Sequence, residues 1–123
     1  MLSDGNKCDN IHCFFGARNN YEAAKYEHHK LFMAMVKGKR RILLAHPNEK
    51  YNAYMYDNTH PLARHTMVDW ARPILSSYPN FSEMKATEVI LTAGEILCLP
   101  SLWLHAIQNL DTNTQCNLRC NVI

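Results

Sequence analysis

The chain has 123 residues, of which 47% are hydrophobic and 20% are charged, and its formal net charge is +2. This length suits one domain, and a charge so close to balance does not indicate a dedicated nucleic-acid-binding protein. The sequence contains no run of about 18 apolar residues, so no membrane span is predicted, and its N-terminus lacks the residue order of a signal peptide. We therefore expect a protein of the cytoplasm or the nucleus whose five cysteines are reduced thiols.

The first part of the chain predicts a leader followed by two strands. Residues 1–20 show no usable period, and we interpret them as a leader or loop segment that leaves room for one short pairing segment. The domain itself is expected over residues 21–123. Within it, residues 31–36 form an apolar run that is typical of a strand buried on both faces, and the chain returns in a second strand over residues 40–45 (RRILLA). Because Gly38 lies at the turn between them, the two strands are predicted to pair as a β-hairpin.

The second part of the chain begins with a long connection, residues 51–80, which contains three prolines and has a length that is often functional. Strands are then predicted at residues 88–91, 96–99, 102–107 and 115–122. Gly94 supplies the turn between the first two of them, and Pro100 ends the second because proline cannot donate to a ladder. His105, in the third, is either a core histidine or a metal ligand. These short strands and tight turns favour an all-β jelly roll or barrel.

Four motifs of this sequence occur in the same order in a known family. They are the strand, turn and strand of residues 31–47, the segment His60–Asp69 (HPLARHTMVD), Tyr78–Phe81 (YPNF) and Thr87–Asn109 (TEVILTAGEILCLPSLWLHAIQN). With them the chain resembles the cupin-like JmjC group of Fe(II)- and 2-oxoglutarate-dependent oxygenases, and most closely the asparaginyl hydroxylases of the factor-inhibiting-HIF type. The resemblance covers about residues 21–122 and implies a double-stranded β-helix with a metal inside the barrel. Family members have a longer N-terminal region, so we expect an N-terminally truncated barrel whose open sheet edge favours a homodimer.

The resemblance also implies an iron site of two histidines and one carboxylate. His105 stands at the position of the family histidine that follows the tryptophan motif, and the H-x-D pair of the family falls on Lys25 and Glu27. A protonated lysine has no lone pair to give to iron, so this alignment predicts an impaired metal site. A shift of one register leaves a second arrangement open, in which Glu27, His29 and His105 are the metal ligands.

The same resemblance implies residues for the cofactor and the substrate. The family's basic residue for a carboxylate of 2-oxoglutarate falls on Arg40, and arginine is a good carboxylate clamp. Glu22 falls near a family threonine that contacts the same carboxylate, and its charge would oppose the cofactor. Asn117 is implied as a further residue that lines the site, while Arg64 and His65 would lie near the substrate mouth.

Three functions follow from this interpretation. The first is a degenerate JmjC or cupin-like domain with an impaired metal site, which binds a protein partner. The second is an active hydroxylase of protein side chains that uses Fe(II) and 2-oxoglutarate; Arg64 then lies near the substrate, unless it pairs with Asp69 to hold its loop. The third is a metal cupin of another chemistry, which needs three or four barrel histidines, and only His105 is securely placed in the barrel.

Overall fold

The computed structural model describes residues 7–121, and the all-β class predicted from the sequence is confirmed. Eight strands are present: β1 (His12–Gly16), β2 (Tyr21–Lys25), β3 (Lys30–Lys37), β4 (Lys39–Ala45), β5 (Thr87–Thr92), β6 (Ile96–Leu99), β7 (Leu104–Asn109) and β8 (Asn113–Cys120). Two short 3-10 helices, Pro47–Lys50 and Pro79–Glu83, lie in the long connection between β4 and β5. Within residues 7–121 no helix is long and apolar enough to cross a membrane.

The strands form two four-stranded antiparallel sheets. Their orders are β1-β8-β3-β6 and β2-β7-β4-β5. Neighbours in sequence thus lie in different sheets, except β4 and β5, which pair with each other across the long connection. This alternation builds a double-stranded β-helix, a jelly roll whose two sheets enclose a common interior.

The hairpin predicted between residues 31–36 and 40–45 is wrong in its pairing, although both strands exist. β3 pairs with β8 and β6, whereas β4 pairs with β5 and β7. Gly38 lies between them with a φ of +86°, a left-handed conformation that glycine adopts without a Cβ penalty. The turn at Gly38 therefore carries the chain across to the other sheet, and the turn at Gly94, with a φ of +90°, does the same between β5 and β6.

Substitution of Gly38 by alanine is expected to lower the free energy of unfolding by about 2–4 kcal/mol. A Cβ atom there would lie 2.6 Å from the backbone oxygen of Thr112, in addition to the cost of the left-handed backbone. Gly94→Ala is the matched control, because its φ is similar but no atom lies within 4 Å of the added Cβ; it should lose only about 1–2 kcal/mol. Urea denaturation measures both, and equal losses would contradict the role of the Thr112 contact.

Apolar side chains fill the interior of the barrel and also cover the outside of one sheet. The interior cluster consists of Leu31, Met33, Met35, Ile42, Leu91, Leu99 and Ile107. The outer cluster consists of Ala24, Tyr26, Ala45, Ala53, Val68, Trp70, Leu104 and Ala106. Its members Ala53, Val68 and Trp70 come from the long connection, which therefore packs against the sheet of β2, β7, β4 and β5. Both faces of that sheet are buried, which fixes the register of β7 and the direction of each of its side chains.

The N-terminal segment is joined to the last strand by β1. β1 pairs with β8 in a register that sets Cys13 opposite Cys116, and the structure contains disulfides between these two residues and between Cys8 and Cys120. The prediction of five reduced thiols is therefore wrong for these four cysteines. Directly opposed residues of an antiparallel strand pair bring their side chains together. The prediction missed this because the pairing of β1 with β8 joins distant parts of the chain and is not visible in the local sequence. β1 and β2 each provide an edge strand, so both sheets have four strands.

Candidate functional site

One part of the barrel interior is a cavity of about 270 Å³ instead of packed core. Its polar lining consists of Asn20, Glu22, Lys25, Glu27, Arg40, His105, Asn109, Gln115, Asn117 and Arg119. Phe14, Phe15 and Gly16 of β1 form part of the wall, and the cavity reaches solvent near Phe15, which is 90% exposed. Buried polar groups are unfavourable unless they are paired, so the partners of these side chains decide what the cavity can bind.

The last strand supplies an uninterrupted polar row to this cavity. Gln115, Asn117 and Arg119 alternate along β8 and all line the cavity, as expected for residues that share one face of a strand. Gln115 and Arg119 were not identified from the sequence. The signal that could have found them is the alternation itself, because a strand with three polar residues on its inner face is incompatible with an apolar barrel interior.

Lys25 and His105 lie side by side on the cavity-facing side of one sheet. They are direct partners in the ladder between β2 and β7, and His105 is only 4% exposed. The Nδ1 atom of His105 lies 3.2 Å from the backbone oxygen of Trp103, so in the neutral ring Nδ1 donates the proton and Nε2 keeps its lone pair. Burial lowers the pKa of His105, although the Trp103 carbonyl and the charge of Glu27 oppose this effect. His105 is therefore a neutral imidazole near pH 7.

Glu27 lies between two cations. Its carboxylate accepts two hydrogen bonds from Arg119, at 3.0 Å from Nε and 3.3 Å from Nη2, and Lys25 Nζ lies 3.6 Å from Oε1. Burial by itself would raise the pKa of Glu27, but the hydrogen bond and charge of Arg119, together with the charges of Lys25 and His105, lower it overall. Glu27 is thus an ionised carboxylate whose charge is already compensated within the protein.

These residues do not fit an iron ion. Lys25 occupies the ladder position opposite His105 and offers an ammonium group, which repels a divalent cation, and both oxygens of Glu27 are engaged by Arg119. Among residues 7–121, no group of three or more His, Cys, Asp or Glu side chains is placed to hold a metal ion. The structure brings Glu27 and His105 together but leaves His29 exposed and outside the cavity. Because β2 ends at Lys25, the strand alternation assumed for Glu27 and His29 does not extend to them.

Arg40 and Asn117 both line the cavity. Arg40 is 4% exposed; its Nε donates to Asn109 Oδ1 at 2.9 Å, and its Nη2 donates to Glu22 Oε2 at 3.1 Å. The charge of Glu22 was expected to oppose a bound carboxylate. In the structure the carboxylate of Glu22 is itself the ion-pair partner of Arg40. The side chain of Glu22 is 57% exposed, so the pair joins a buried cation to an anion at the surface.

Arg64 and His65 lie at the edge of β2 and not in the cavity lining. The backbone of His65 forms an isolated bridge with Lys25, and the backbone oxygen of Arg64 accepts from Tyr26 N at 2.9 Å. No ion pair joins Arg64 to Asp69 in the part of the chain that the structure describes, where Asp69 Oδ1 instead accepts from Ala71 N. Their contribution within the described residues is through the backbone, which supports the strand that carries Lys25.

The stability of the protein is expected to fall with pH below about 6.5, in part because of His105. Its pKa in the folded state is lower than the ordinary value of 6.5, so the unfolded chain binds the proton more readily. The contribution is complete well above pH 6.5, the pKa of the unfolded state, and is lost as the pH falls from there through the lower pKa of the folded state. Unfolding by urea between pH 7.5 and 5 should show a shallower acid slope for His105→Asn than for the wild type. His29→Asn, which changes an exposed side chain, is the matched control, and an unchanged slope in His105→Asn would contradict the assignment.

Comparisons with known proteins bear on this site. A family model described as a cupin-like domain matches residues 2–121. JmjC domain-containing protein D of Dictyostelium discoideum is 32% identical over 111 residues, which are 89% of this chain and 25% of that protein. Lysine-specific demethylase 8 of Xenopus tropicalis is 28% identical over 82% of this chain and 23% of its own length. tRNA wybutosine-synthesizing protein 5 of Danio rerio is 32% identical over 59% of this chain and 21% of its own length, so the chain spans about a quarter of these relatives.

A solved structure resembles the fold over its whole extent. A cupin superfamily protein from Desulfitobacterium hafniense DCB-2 aligns with a TM-score of 0.53, over 99% of this chain and 72% of that one. The sequence identity is 11%, so the likeness concerns the fold alone. It agrees with the two-sheet barrel described above.

Proposed function

The chain belongs to the cupin-like domain family, and on this premise we propose that it is a degenerate, metal-independent domain of the JmjC type with a binding role. The observation that carries the proposal is the position of Lys25. Lys25 is the ladder partner of His105, and its ammonium group lies 3.6 Å from Glu27, where it joins Arg119 in compensating the carboxylate that would otherwise attract a metal ion. The barrel cavity then remains as a polar site that binds without redox chemistry.

The relatives support a scaffold that serves more than one chemistry. Their names refer to lysine-specific demethylation and to tRNA wybutosine synthesis, which are different activities. A shared fold does not fix a function, because the site decides it. The residues of this site, with three cations and two carboxylates around one cavity, favour the recognition of a polar ligand or of a polar side chain of a protein partner.

A second candidate is an active hydroxylase of protein side chains, of the asparaginyl type, which depends on Fe(II) and 2-oxoglutarate. The observation that favours it is that Glu27, His105 and Arg40 line one cavity. Bound iron would supply oxygen activation in such an enzyme. The ammonium group of Lys25 opposes this candidate, because iron binding requires Lys25 to lose its proton or to leave the site.

The two candidates are separated by an anaerobic calorimetric titration of Fe(II), with and without 2-oxoglutarate, on the wild type and on His105→Ala. The binding-domain proposal predicts no saturable iron binding in either protein. Micromolar binding by the wild type that is lost in His105→Ala would instead support the hydroxylase. Circular dichroism of both proteins controls for a loss of fold in the variant.

We also propose that the chain associates as a homodimer through β1. β1 is an edge strand that pairs with β8 on one side. Ile11, which precedes the strand, is 67% exposed, and Phe15 within it is 90% exposed. An unpaired strand edge with apolar neighbours is a template for pairing with a second chain. Sedimentation equilibrium should therefore show a dimer at high protein concentration, and a monomer over the whole concentration range would contradict this association.

A further inference from the structure

One wall of the barrel cavity is a strand that contributes little to the apolar core. Phe14 and Gly16 of β1 line the cavity, yet every β1 residue except Gly16 is exposed, and none belongs to either apolar cluster. Within residues 7–121, β8 is the only strand that pairs with β1. A strand with so few buried contacts belongs to the least stable part of a fold, so its ladder with β8 holds it only weakly.

Two disulfides reinforce this weak ladder. Cys13, within β1, is bonded to Cys116, and Cys8, ahead of the strand, is bonded to Cys120. The two β8 cysteines alternate along the strand with the residues that line the cavity, so both bonds lie on the outer face of the sheet. They hold β1 in place without occupying the cavity.

The part of β8 that β1 covers belongs to the cavity lining. Gln115 is the direct ladder partner of Phe14, and Asn117 is the direct ladder partner of His12. Gln115 and Asn117 both line the cavity. Separation of β1 from β8 therefore uncovers these two side chains and extends the cavity mouth along β8.

The chain that follows β1 is anchored independently of the disulfides. Asn19 N donates to Asn109 O at 2.9 Å, and Asn109 Nδ2 donates to Ala17 O at 3.0 Å. These bonds tie residues 17–20 to the end of β7. β1 can therefore swing away about this segment while β2 and the rest of its sheet stay in place.

The two disulfides differ in their access to a reductant. Cys13 is exposed, whereas Cys120 is only 5% exposed. Thiol–disulfide exchange requires access to the sulfur atom that is attacked, so the bond between Cys13 and Cys116 is reduced first. While the bond between Cys8 and Cys120 is intact, it keeps β1 close to β8 and favours re-formation of the broken bond.

We propose that the Cys13–Cys116 disulfide is a redox latch that controls access to the barrel cavity. With the bond formed, β1 closes the wall over Gln115 and Asn117. With the bond reduced, β1 separates from β8 and opens the cavity to solvent along that strand. The closed form belongs to an oxidising compartment and the open form to a reducing one. This inference rests on the proposed binding role of the cavity and specifies how that role is regulated.

A dithiol is the class of reductant that opens the latch. One of its sulfurs, as a thiolate, bonds to Cys13 Sγ while the bond between Cys13 and Cys116 breaks, and Cys116 leaves as a thiolate that takes up a proton. The second sulfur of the dithiol then bonds to the first and releases Cys13, which is protonated in turn. Two electrons and two protons pass to the protein, and the dithiol becomes a disulfide.

The test removes one disulfide at a time from the full chain, in dilute solution without reductant. In Cys13→Ser/Cys116→Ser the β1 amides should exchange with D2O about 100-fold faster than in the parent protein, because the ladder alone holds the strand. Cys8→Ser/Cys120→Ser is the matched control, since it loses a bond of similar sequence separation, 112 against 103 positions, but keeps the latch; its β1 amides should exchange as in the parent. All three proteins carry Cys98→Ser, which removes the free thiol.

Access to the cavity is measured separately by NMR with a bulky, neutral gadolinium chelate in solution. The chelate should increase the relaxation of the Asn117 side-chain amide in Cys13→Ser/Cys116→Ser and in the parent protein reduced with dithiothreitol. It should have no such effect in Cys8→Ser/Cys120→Ser. The amides of β3, which pairs with β8 on the side away from β1, report whether the barrel remains folded.

Three results would overturn the latch. Equal exchange of the β1 amides in the two variants would mean that the bond between Cys13 and Cys116 has no special role. Loss of protection in β3 together with β1 would mean that the disulfides stabilise the whole domain and not one wall. Unchanged relaxation at Asn117 in a protein whose β1 has opened would exclude control of access. None of these results bears on the metal-independent role, which the separate anaerobic iron titration tests.

Discussion

Reduction of the disulfides Cys8–Cys120 and Cys13–Cys116 is expected to lower the free energy of unfolding by about 4–7 kcal/mol. The bonds join residues 112 and 103 positions apart, and a loop of about 100 residues restricts the unfolded chain by up to about 4.7 kcal/mol. The second bond closes only a small ring, because the first already joins the same two segments, and it adds about 2–3 kcal/mol. Urea denaturation with and without a reductant measures the loss, which is comparable to the whole stability of many domains.

The same chain-entropy effect predicts how the stabilisation by the two disulfides adds up. Cys13→Ser/Cys116→Ser should lose about 2–3 kcal/mol under oxidising conditions, and reduction should then remove the remainder. Cys98→Ser is the control, because Cys98 is a free and exposed cysteine. A loss below about 1 kcal/mol on reduction would contradict covalent attachment of the N-terminal segment. In the cytoplasm or nucleus, where thiols are kept reduced, β1 would be held by its ladder with β8 alone.

Substitution of Lys25 by histidine is expected to create a metal site, with an affinity for Co(II) about 100-fold or more above that of the wild type. The variant would place a neutral imidazole opposite His105 and two residues before Glu27, which completes a set of two histidines and one carboxylate. Removal of the ammonium group also removes the repulsion of the cation. The visible absorption of Co(II) reports both binding and the type of ligands.

Lys25→Met is the control for this gain, because it removes the same charge without adding a ligand. A metal must also compete with Arg119 for the oxygens of Glu27, so Lys25→His/Arg119→Met should bind Co(II) more tightly than Lys25→His. Equal binding by Lys25→Met and Lys25→His would mean that the added imidazole is not a ligand. No binding in either histidine-containing variant would mean that the backbone of β2 does not present position 25 toward His105.

The strands of this fold were predictable, but their partners were not. Apolar runs, Gly94 and Pro100 located β5 and β6 correctly, because turn and strand chemistry is local. The pairing of β3 with β4 was wrong, because a two-strand pattern with a turn looks the same whether the chain folds back or crosses to a second sheet. Gly38 provides the positive φ in either case. The prediction of reduced thiols was wrong for the same reason, because the pairing of Cys13 with Cys116 depends on the register between β1 and β8, at the two ends of the chain.

The candidate site shows the same division between local and distant information. The family resemblance named Lys25, Glu27, Arg40 and Asn117 as residues of one site, and all four line the same cavity. Their spacing in the sequence alone gave no reason to group them. His29 does not join them, because the strand ends before the alternation reaches it. The ion pairs between Glu27 and Arg119 and between Arg40 and Glu22 connect distant strands, and no local pattern predicts which charges meet inside a barrel.

We infer that the two cations of Arg119 and Lys25, and not a metal ion, compensate Glu27 inside the barrel. The most direct test of this inference is anomalous diffraction from crystals of the wild-type protein soaked in millimolar Mn(II) without chelator. We expect no anomalous peak bonded to His105, with the Lys25 side chain in salt-bridge contact with Glu27. A peak bonded to both His105 Nε2 and Glu27, with Lys25 turned away from the site, would contradict the account.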